Sequence, residues 1–149
     1  MSAQLTLAKA EHAAVLMPLV TAFHTEEGLE TTEESRAAAI SPLLEGSPLG
    51  VVYLVGPAKA PIGYIVICFG WSIEFGGMDG FVDELYIRPG VRKRGIAGEV
   101  LHSLPLALAK GGLRALHLEV STENDAAQRL YARSGFRLRD KYQLMTRPL

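Results

Sequence analysis

Two consecutive carboxylates, Asp83 and Glu84, stand inside the otherwise apolar stretch 81–87. A strand of this composition is covered on both faces, so neither acid has an easy route to water. Adjacent acids in a poorly hydrated site repel each other's charge, which makes one of them a better proton acceptor. The alternative is a structural carboxylate that pairs with an arginine such as Arg88. Because side chains alternate along a strand, we expect the acids on opposite faces, with Glu84 slightly favoured as a general base.

A basic, glycine-rich stretch follows at residues 92–98. It lies where a strand ends and a helix begins, and the free N–H groups and dipole of a helix start attract anions. Small residues let a phosphate approach the amides, and basic side chains supply the matching charge. The stretch indicates a phosphate site, with a glycine-softened helix start and solvated arginines as the alternative. Its residues are Arg92, Lys93, Arg94, Gly95, Ile96, Ala97 and Gly98.

Asn124 and Tyr131 are seven residues apart in a stretch with helical character. This spacing is about two helical turns, so both side chains lie on one face. Asn124 suits a helix cap, and the phenol of Tyr131 can donate a proton to a leaving group. An aromatic anchor of the core is the alternative for Tyr131.

The composition is that of one globular domain spanning residues 1–149, with 48% apolar and 21% charged residues. A net charge of −1 provides no overall basic field for a nucleic acid or an anionic membrane. The one cysteine, Cys68, fits a core position, and no spacing of cysteines and histidines predicts a metal site. We therefore expect a cytoplasmic protein with no metal, no nucleic-acid partner and no membrane partner.

Hydrophobic periodicity predicts the elements that position these residues. Strands are expected at 4–8, 50–56, 62–69, 81–87, 113–120 and 142–146, and helices at 11–23, 31–44, 95–110 and 124–134. This order predicts an α/β (α+β) fold with a mixed sheet and helices on both faces. Pro105 lies inside the third helix, where we expect a bend or an early helix end.

Two motifs resemble those of the GNAT superfamily of acyl-CoA N-acyltransferases. Arg92-x-x-Gly95-x-Ala97 is similar to motif A, whose pattern is Gln/Arg-x-x-Gly-x-Gly/Ala, and residues 123–136 resemble motif B, with Asn124 and Tyr131 at the family's positions. The element order fits along nearly the whole chain. The resemblance implies a GNAT fold, with a mostly antiparallel sheet of six to seven strands and about four helices.

The resemblance also implies acetyl-CoA as the cofactor, with its pyrophosphate on the 92–98 loop and Asn124 near the pantetheine. A backbone N–H among Leu85, Tyr86 and Ile87 would stabilise the oxyanion, and Tyr131 would be the general acid. An acidic pair stands at the position of Asp83 and Glu84 in polyamine-acetylating members. The implied reaction is acetyl transfer to a primary amine of a small, cationic molecule.

In this family the acceptor site is built from the first loops and the middle strands, here residues 24–32 and 71–79. Their acidic and aromatic side chains suit a cationic amine, although a simply solvated acidic face is the alternative. His24 could assist proton movement, but a lone loop histidine more often has no catalytic role. The expected substrate-binding residues are Glu26, Trp71, Glu74, Phe75, Asp83 and Glu84.

Two other functions stay open at this point. The same chemistry could act on a protein N-terminus or lysine, or the domain could bind acetyl-CoA as a sensor or interaction module without turnover. Many relatives pair through their C-terminal strands, so the resemblance also implies a possible homodimer.

Overall fold

Five strands form one sheet in chain order in the computed structural model, which describes residues 3–149. The strands are β1 (Leu5–Leu7), β2 (Gly50–Val55), β3 (Gly63–Ser72), β4 (Gly77–Ile87) and β5 (Ala115–Leu118). The helices are α1 (Ala13–Glu27), α2 (Glu33–Leu44), α3 (Ile96–Lys110) and α4 (Asp125–Arg133). Within the described residues, no helix is long and apolar enough to cross a membrane.

The sheet is mixed, which confirms the predicted fold class. Strands β1 to β4 pair antiparallel with their neighbours, and β5 pairs parallel with β4. The expected number of six to seven strands is wrong, because residues 119–149 contain no strand. Residues 142–146, predicted as the last strand, form no strand, and Met145 is 93% exposed.

Each face of the sheet carries its own apolar core. On one face, α1 and α2 bury Leu16, Leu19 and Ile40 against strand residues that include Tyr64 and Val66. On the other face, α3 covers a cluster of strand residues with the side chains Val100, Leu101 and Leu104. The sheet is therefore a central layer whose two faces meet different helices, as expected for α/β packing.

Helix α3 continues through Pro105 to Lys110, so the expected early end is wrong. The proline removes one backbone donor from the helix interior. Val100, Leu101 and Leu104 are almost completely buried against the sheet just before it, and this packing holds the helix in register. Because Pro105 lies in the second half of α3, it leaves the first turn unaffected.

A β-bulge interrupts the ladder between β3 and β4. Val66 pairs with Glu84 and Ile67 pairs with Val82, so Asp83 is an extra residue without a partner in β3. A bulge reverses the alternation of side chains beyond it. Val82 accordingly belongs to the α3-side core, whereas Tyr86 belongs to the α1-side core.

The bulge overturns the expectation that Asp83 and Glu84 lie on opposite faces. Both carboxylates line the same cavity between the sheet and helices α1 and α2. Strict alternation failed here because one inserted residue changes the face of every residue after it.

Candidate active site

Strands β4 and β5 run side by side for only a short distance. Their pairing begins at Asp79 with Ala115 and ends at Val82 with Leu118, while β4 continues to Ile87 paired only with β3. From the bulge onward, the edge of β4 that faced β5 has no strand partner. Its backbone groups can therefore bind an extended ligand as a strand would. The predicted oxyanion residues Leu85, Tyr86 and Ile87 lie on this segment.

The start of α3 forms a cradle of free amides. The first helical hydrogen bond runs from the Glu99 N–H to the Gly95 carbonyl at 3.0 Å. The amides of Ile96, Ala97 and Gly98 precede it, and none has a backbone acceptor among residues 3–149. An anion placed at this end meets these donors and the positive end of the helix dipole.

The loop before α3 is held by unusual backbone conformations and by Arg92. Lys93 has φ +64° and Gly95 has φ +79°, and the latter value favours glycine. The Arg92 Nε donates to the Ile87 carbonyl at 2.7 Å, and its Nη2 lies 2.7 Å from the Glu26 carboxylate. The guanidinium also lies over the Tyr86 ring at 5.4 Å. The side chain of Arg92 therefore fastens the loop to the sheet and to α1.

Glu84 accepts hydrogen bonds on both of its oxygens. Its Oε2 lies 2.6 Å from the His24 Nε2, and its Oε1 accepts from the Tyr64 hydroxyl at 2.7 Å. The His24 and Glu84 side chains are only 12% and 13% exposed, and Tyr64 is completely buried. Asp83 is exposed, and none of the side-chain hydrogen bonds among residues 3–149 involves it. The two neighbouring acids therefore have different surroundings.

The cavity beside this pair has a volume of about 90 Å³ and opens to solvent. Its walls combine the apolar side chains of Val20, Ile40 and Leu43 with Asp83 and Glu84. A small aliphatic ammonium group matches such a cavity, since its carbon chain can lie on the apolar walls while the charge meets the carboxylates.

Burial controls the protonation of two groups near the acids. Burial, followed by the charge of Glu84, raises the pKa of Tyr64 far above its usual range. Burial also raises the pKa of the Cys68 thiol, with smaller contributions from Asp83 and Glu84. At neutral pH Tyr64 is therefore a protonated phenol, and its O–H donates a hydrogen bond to Glu84.

Tyr131 lies on α4, where its ring contacts Phe136 at 6.2 Å between centroids. Burial, and to a smaller extent the charge of Glu27, raises the pKa of its phenol, so the proton is retained at neutral pH. Its hydroxyl makes no hydrogen bond within residues 3–149. Asn124 caps α4, because its Oδ1 accepts from the Ala127 N–H at 3.0 Å. The cap leaves the amide nitrogen of Asn124 available to a ligand.

A split sheet, an amide cradle and an acidic cavity thus lie along one stretch of chain. A model of the Acetyltransferase (GNAT) family matches residues 16–136, which includes all three. The chain belongs to this family.

Some proteins similar to this GNAT chain are named as N-acetyltransferases, and others share its fold. Uncharacterized N-acetyltransferases of Mycobacterium bovis and Mycobacterium tuberculosis are each 32% identical over 93 residues. That match covers 58% of this chain and 58% of each relative, so the chain spans less than two thirds of these curated relatives.

Solved structures extend the likeness to nearly the whole chain. An integron cassette protein from the mobile metagenome of Cole Harbour Salt Marsh is 30% identical, with a TM-score of 0.83, and 98% of this chain and 90% of that protein are covered. An aminoglycoside N-acetyltransferase solved in complex with CoA is 13% identical, with a TM-score of 0.78, and 100% of this chain and 98% of that protein are covered. At 13% identity the second likeness shows the fold alone.

Some of the predicted substrate residues lie away from the acidic cavity. Trp71, Glu74 and Phe75 lie at the β3–β4 turn, and Trp71 is five residues, about 17 Å, along β3 from Val66 beside Glu84. Glu74 pairs with Arg139 at 2.8 Å, and the Arg139 guanidinium lies 5.5 Å from the Phe75 ring centroid. Glu74 and Phe75 thus contact the C-terminal segment through Arg139. Glu26, also predicted to bind substrate, is the partner of Arg92.

Two side chains at the acidic pair were missed or undervalued from sequence. His24 was placed in a loop, but α1 extends to Glu27 and directs the ring at Glu84. Tyr64 received no role, although a tyrosine inside an apolar strand must find an acceptor for its hydroxyl when it is buried. That requirement is the signal that could have found it.

Proposed function

We propose that this chain is an N-acetyltransferase that moves the acetyl group of acetyl-CoA to a primary amine of a small, cationic molecule. The observation that carries the proposal is the bulge at Asp83. It places two carboxylates on one cavity at the point where β4 loses β5 as its neighbour. An amine held in the cavity is thus next to a strand edge that can bind the acetyl-carrying arm.

The cofactor would lie along the split and end on the loop before α3. Its pyrophosphate would accept from the amides of Ile96, Ala97 and Gly98, with Lys93 and Arg94 supplying charge. Arg92 would act by holding the loop, since its guanidinium already binds Glu26 and Ile87. A protein of the same fold was solved in complex with CoA, which supports CoA as the cofactor.

The reaction would proceed by direct attack of the amine nitrogen on the thioester carbon. The ammonium group first passes one proton to a carboxylate of the acidic pair, the neutral amine then forms the C–N bond, and a backbone N–H of 85–87 stabilises the oxyanion. The C–S bond then breaks, and the departing sulfur takes the phenolic proton of Tyr131. The nitrogen returns its second proton to the Tyr131 phenolate and the carboxylate releases its proton to solvent, so the products are an amide and the CoA thiol.

The cavity favours a slender ammonium arm over a bulky group, because its volume is about 90 Å³. Asp83 and Glu84 line the cavity together with Arg36, whose positive charge offsets one carboxylate and leaves the cavity negative. A cationic amine, such as a polyamine or an aminoglycoside, suits this charge. The proposal includes a cytoplasmic setting, the usual location of acetyl-CoA-dependent enzymes of this kind.

We also propose a homodimer. The outer edge of β5 carries no partner strand within residues 3–149, and Leu138, Leu144 and Met145 are exposed in the segment after α4. An unpaired edge and exposed apolar side chains on one chain suit pairing with a second copy.

Release of the CoA thiol, followed with acetyl-CoA and a panel of polyamines, aminoglycosides, amino acids and peptides, tests the activity. We expect release with polyamines or aminoglycosides, which depends on the amine and saturates with it. Release only with peptides would move the acceptor to a protein. Tight binding of acetyl-CoA without turnover of any amine would contradict the enzyme and favour a sensor.

A further inference from the structure

We infer that His24 and Tyr64 are positioning residues that hold Glu84 as a fixed anionic anchor for the acceptor's ammonium group, while Asp83 takes the proton. The inference rests on the proposed function and assigns separate tasks to the two acids of its cavity. It follows from the direction in which the hydrogen bonds around Glu84 run.

The chain of hydrogen bonds begins at Arg36 on α2. Its Nη1 donates to the Thr31 carbonyl at 3.0 Å and to the Thr31 Oγ1 at 3.1 Å, and a guanidinium can only donate. The Thr31 hydroxyl proton is then free to point at the His24 Nδ1, which lies 2.8 Å away. In a neutral ring this fixes the imidazole proton on Nε2, and the Nε2–H donates to Glu84 at 2.6 Å.

A second donor reaches Glu84 from the sheet itself. Tyr64 and Glu84 lie on neighbouring strands, and the completely buried phenol donates to Oε1 at 2.7 Å. Both donors are thus supplied by rigid elements, α1 and β3. Hydrogen bonds to the charged form of a carboxylate favour that form. Both oxygens of Glu84 thus accept a hydrogen bond, which holds the carboxylate in one orientation beside the cavity that it lines.

Asp83 has the opposite properties. It is the bulged residue, it is exposed, and it lines the cavity without any of the hydrogen bonds that hold Glu84. A proton that leaves the ammonium nitrogen can form an O–H bond on Asp83 and pass from there to water. The ammonium charge stays paired with Glu84 until that N–H bond breaks.

Steady-state kinetics of four variants test the separate roles of Glu84 as anchor and Asp83 as proton acceptor. The acceptor is the most rapidly acetylated polyamine or aminoglycoside of the panel. Glu84→Gln and His24→Leu should raise the KM for the amine about tenfold or more, with kcat within about threefold, because they weaken an anchor. Asp83→Asn should lower kcat about 100-fold with a smaller change in KM. His24→Gln keeps a donor near the position of Nε2 and should restore a KM within about threefold of the parent.

Two results would overturn the inference. If His24→Gln lost kcat as severely as Asp83→Asn, the imidazole would be the proton carrier. If Asp83→Asn raised KM while Glu84→Gln lowered kcat, the two acids would have exchanged roles. The KM for acetyl-CoA and the melting temperature of each variant separate these results from damage to the fold. Tyr64→Phe is a second test of the positioning role, because it removes the other donor to Glu84 and should raise the amine KM while His24 is unchanged.

Nitrogen-15 NMR of the histidine rings tests the same arrangement without turnover. The inference requires a proton on the Nε2 of His24 in the unmodified protein, and a ring protonated only on Nδ1 would contradict it. Absence of turnover in the unmodified protein would instead refute the proposed function. Normal turnover with unchanged kinetics in His24→Leu would refute only the positioning role.

Discussion

Tyr131 shows how one burial effect prepares a residue for its task. A buried phenol with a raised pKa keeps its proton over the whole physiological range, as a general acid must. We predict that Tyr131→Phe lowers kcat by about 10²-fold, within the range of general acid catalysis, and leaves the affinity for acetyl-CoA nearly unchanged. Thiol release and calorimetry measure the two quantities.

The raised pKa of Tyr131 also predicts how activity depends on pH. Because the pKa of Tyr131 is raised, its ionisation should not reduce activity until the pH exceeds about 10, the ordinary tyrosine value. Tyr142→Phe, on an exposed tyrosine of the C-terminal segment, is the matched control and should behave as the parent. A Tyr131→Phe enzyme as fast as the parent would remove this residue from the mechanism.

Tyr64 links the acidic pair to the stability of the fold. Its pKa is raised in the folded state by burial and then by Glu84, so the stability it contributes is complete below the unfolded pKa of about 10 and is lost as the pH rises above it. We predict that Tyr64→Phe lowers the free energy of unfolding by about 1–3 kcal/mol at neutral pH, since Glu84 loses a donor.

Above about pH 10 the difference between Tyr64→Phe and the parent should shrink, because only the parent still has this phenol to ionise. Urea unfolding at several pH values measures it, and Tyr53→Phe on the neighbouring strand β2 is the control. A constant difference across the alkaline range would show that ionisation of Tyr64 does not contribute.

At the scale of elements, the loop before α3 depends on its backbone conformation. Gly95 has φ +79°, so Gly95→Ala should cost about 1–2 kcal/mol and weaken CoA binding by disturbing the amide cradle. Gly90→Ala, just before the loop, is the matched control, since its added Cβ meets no atom within 4 Å and its φ lies outside the left-handed region. Unfolding free energies and CoA titrations compare them. Equal CoA affinities in the two variants would contradict the cradle.

The same elements show what a sequence can and cannot predict. Apolar periodicity identified α3, which buries one face against the sheet. The Asn124 cap and Gly135 identified α4, and two apolar runs around a turn identified the β2–β3 hairpin. Periodicity could not identify the bulge, since an extra residue such as Asp83 leaves no mark in composition or period. The sequence also predicted a strand at 142–146, because residue types record suitability for a sheet but not whether the segment pairs with one.

The sequence also could not predict which side chains of different elements lie close together. The length of α1 decided whether His24 stood in a loop or faced Glu84, and helix ends are the least predictable part of a helix. The acidic residues of the β3–β4 turn had the right chemistry, yet the length of β3 places Glu74 far from Glu84 and close to Arg139. Residue types alone therefore could not predict which acidic side chains share one cavity.

At the scale of the whole molecule, the exposed apolar side chains after α4 predict association. We expect a homodimer by light scattering, and a monomer after Leu144→Lys combined with Met145→Lys, because two charges oppose burial of that surface. Leu29→Lys, at an exposed leucine just after α1, is the control and should stay dimeric. A monomeric parent at micromolar concentration would contradict the dimer.

We propose that this domain transfers the acetyl group of acetyl-CoA to an amine. Acetyl-CoA labelled with carbon-13 in its acetyl group, incubated with the protein and a polyamine or an aminoglycoside, tests the claim by NMR of the products. We expect the label to leave the thioester and to appear in an amide on the amine, together with free CoA thiol. Label that remains on CoA with every amine, while the cofactor binds, would contradict it.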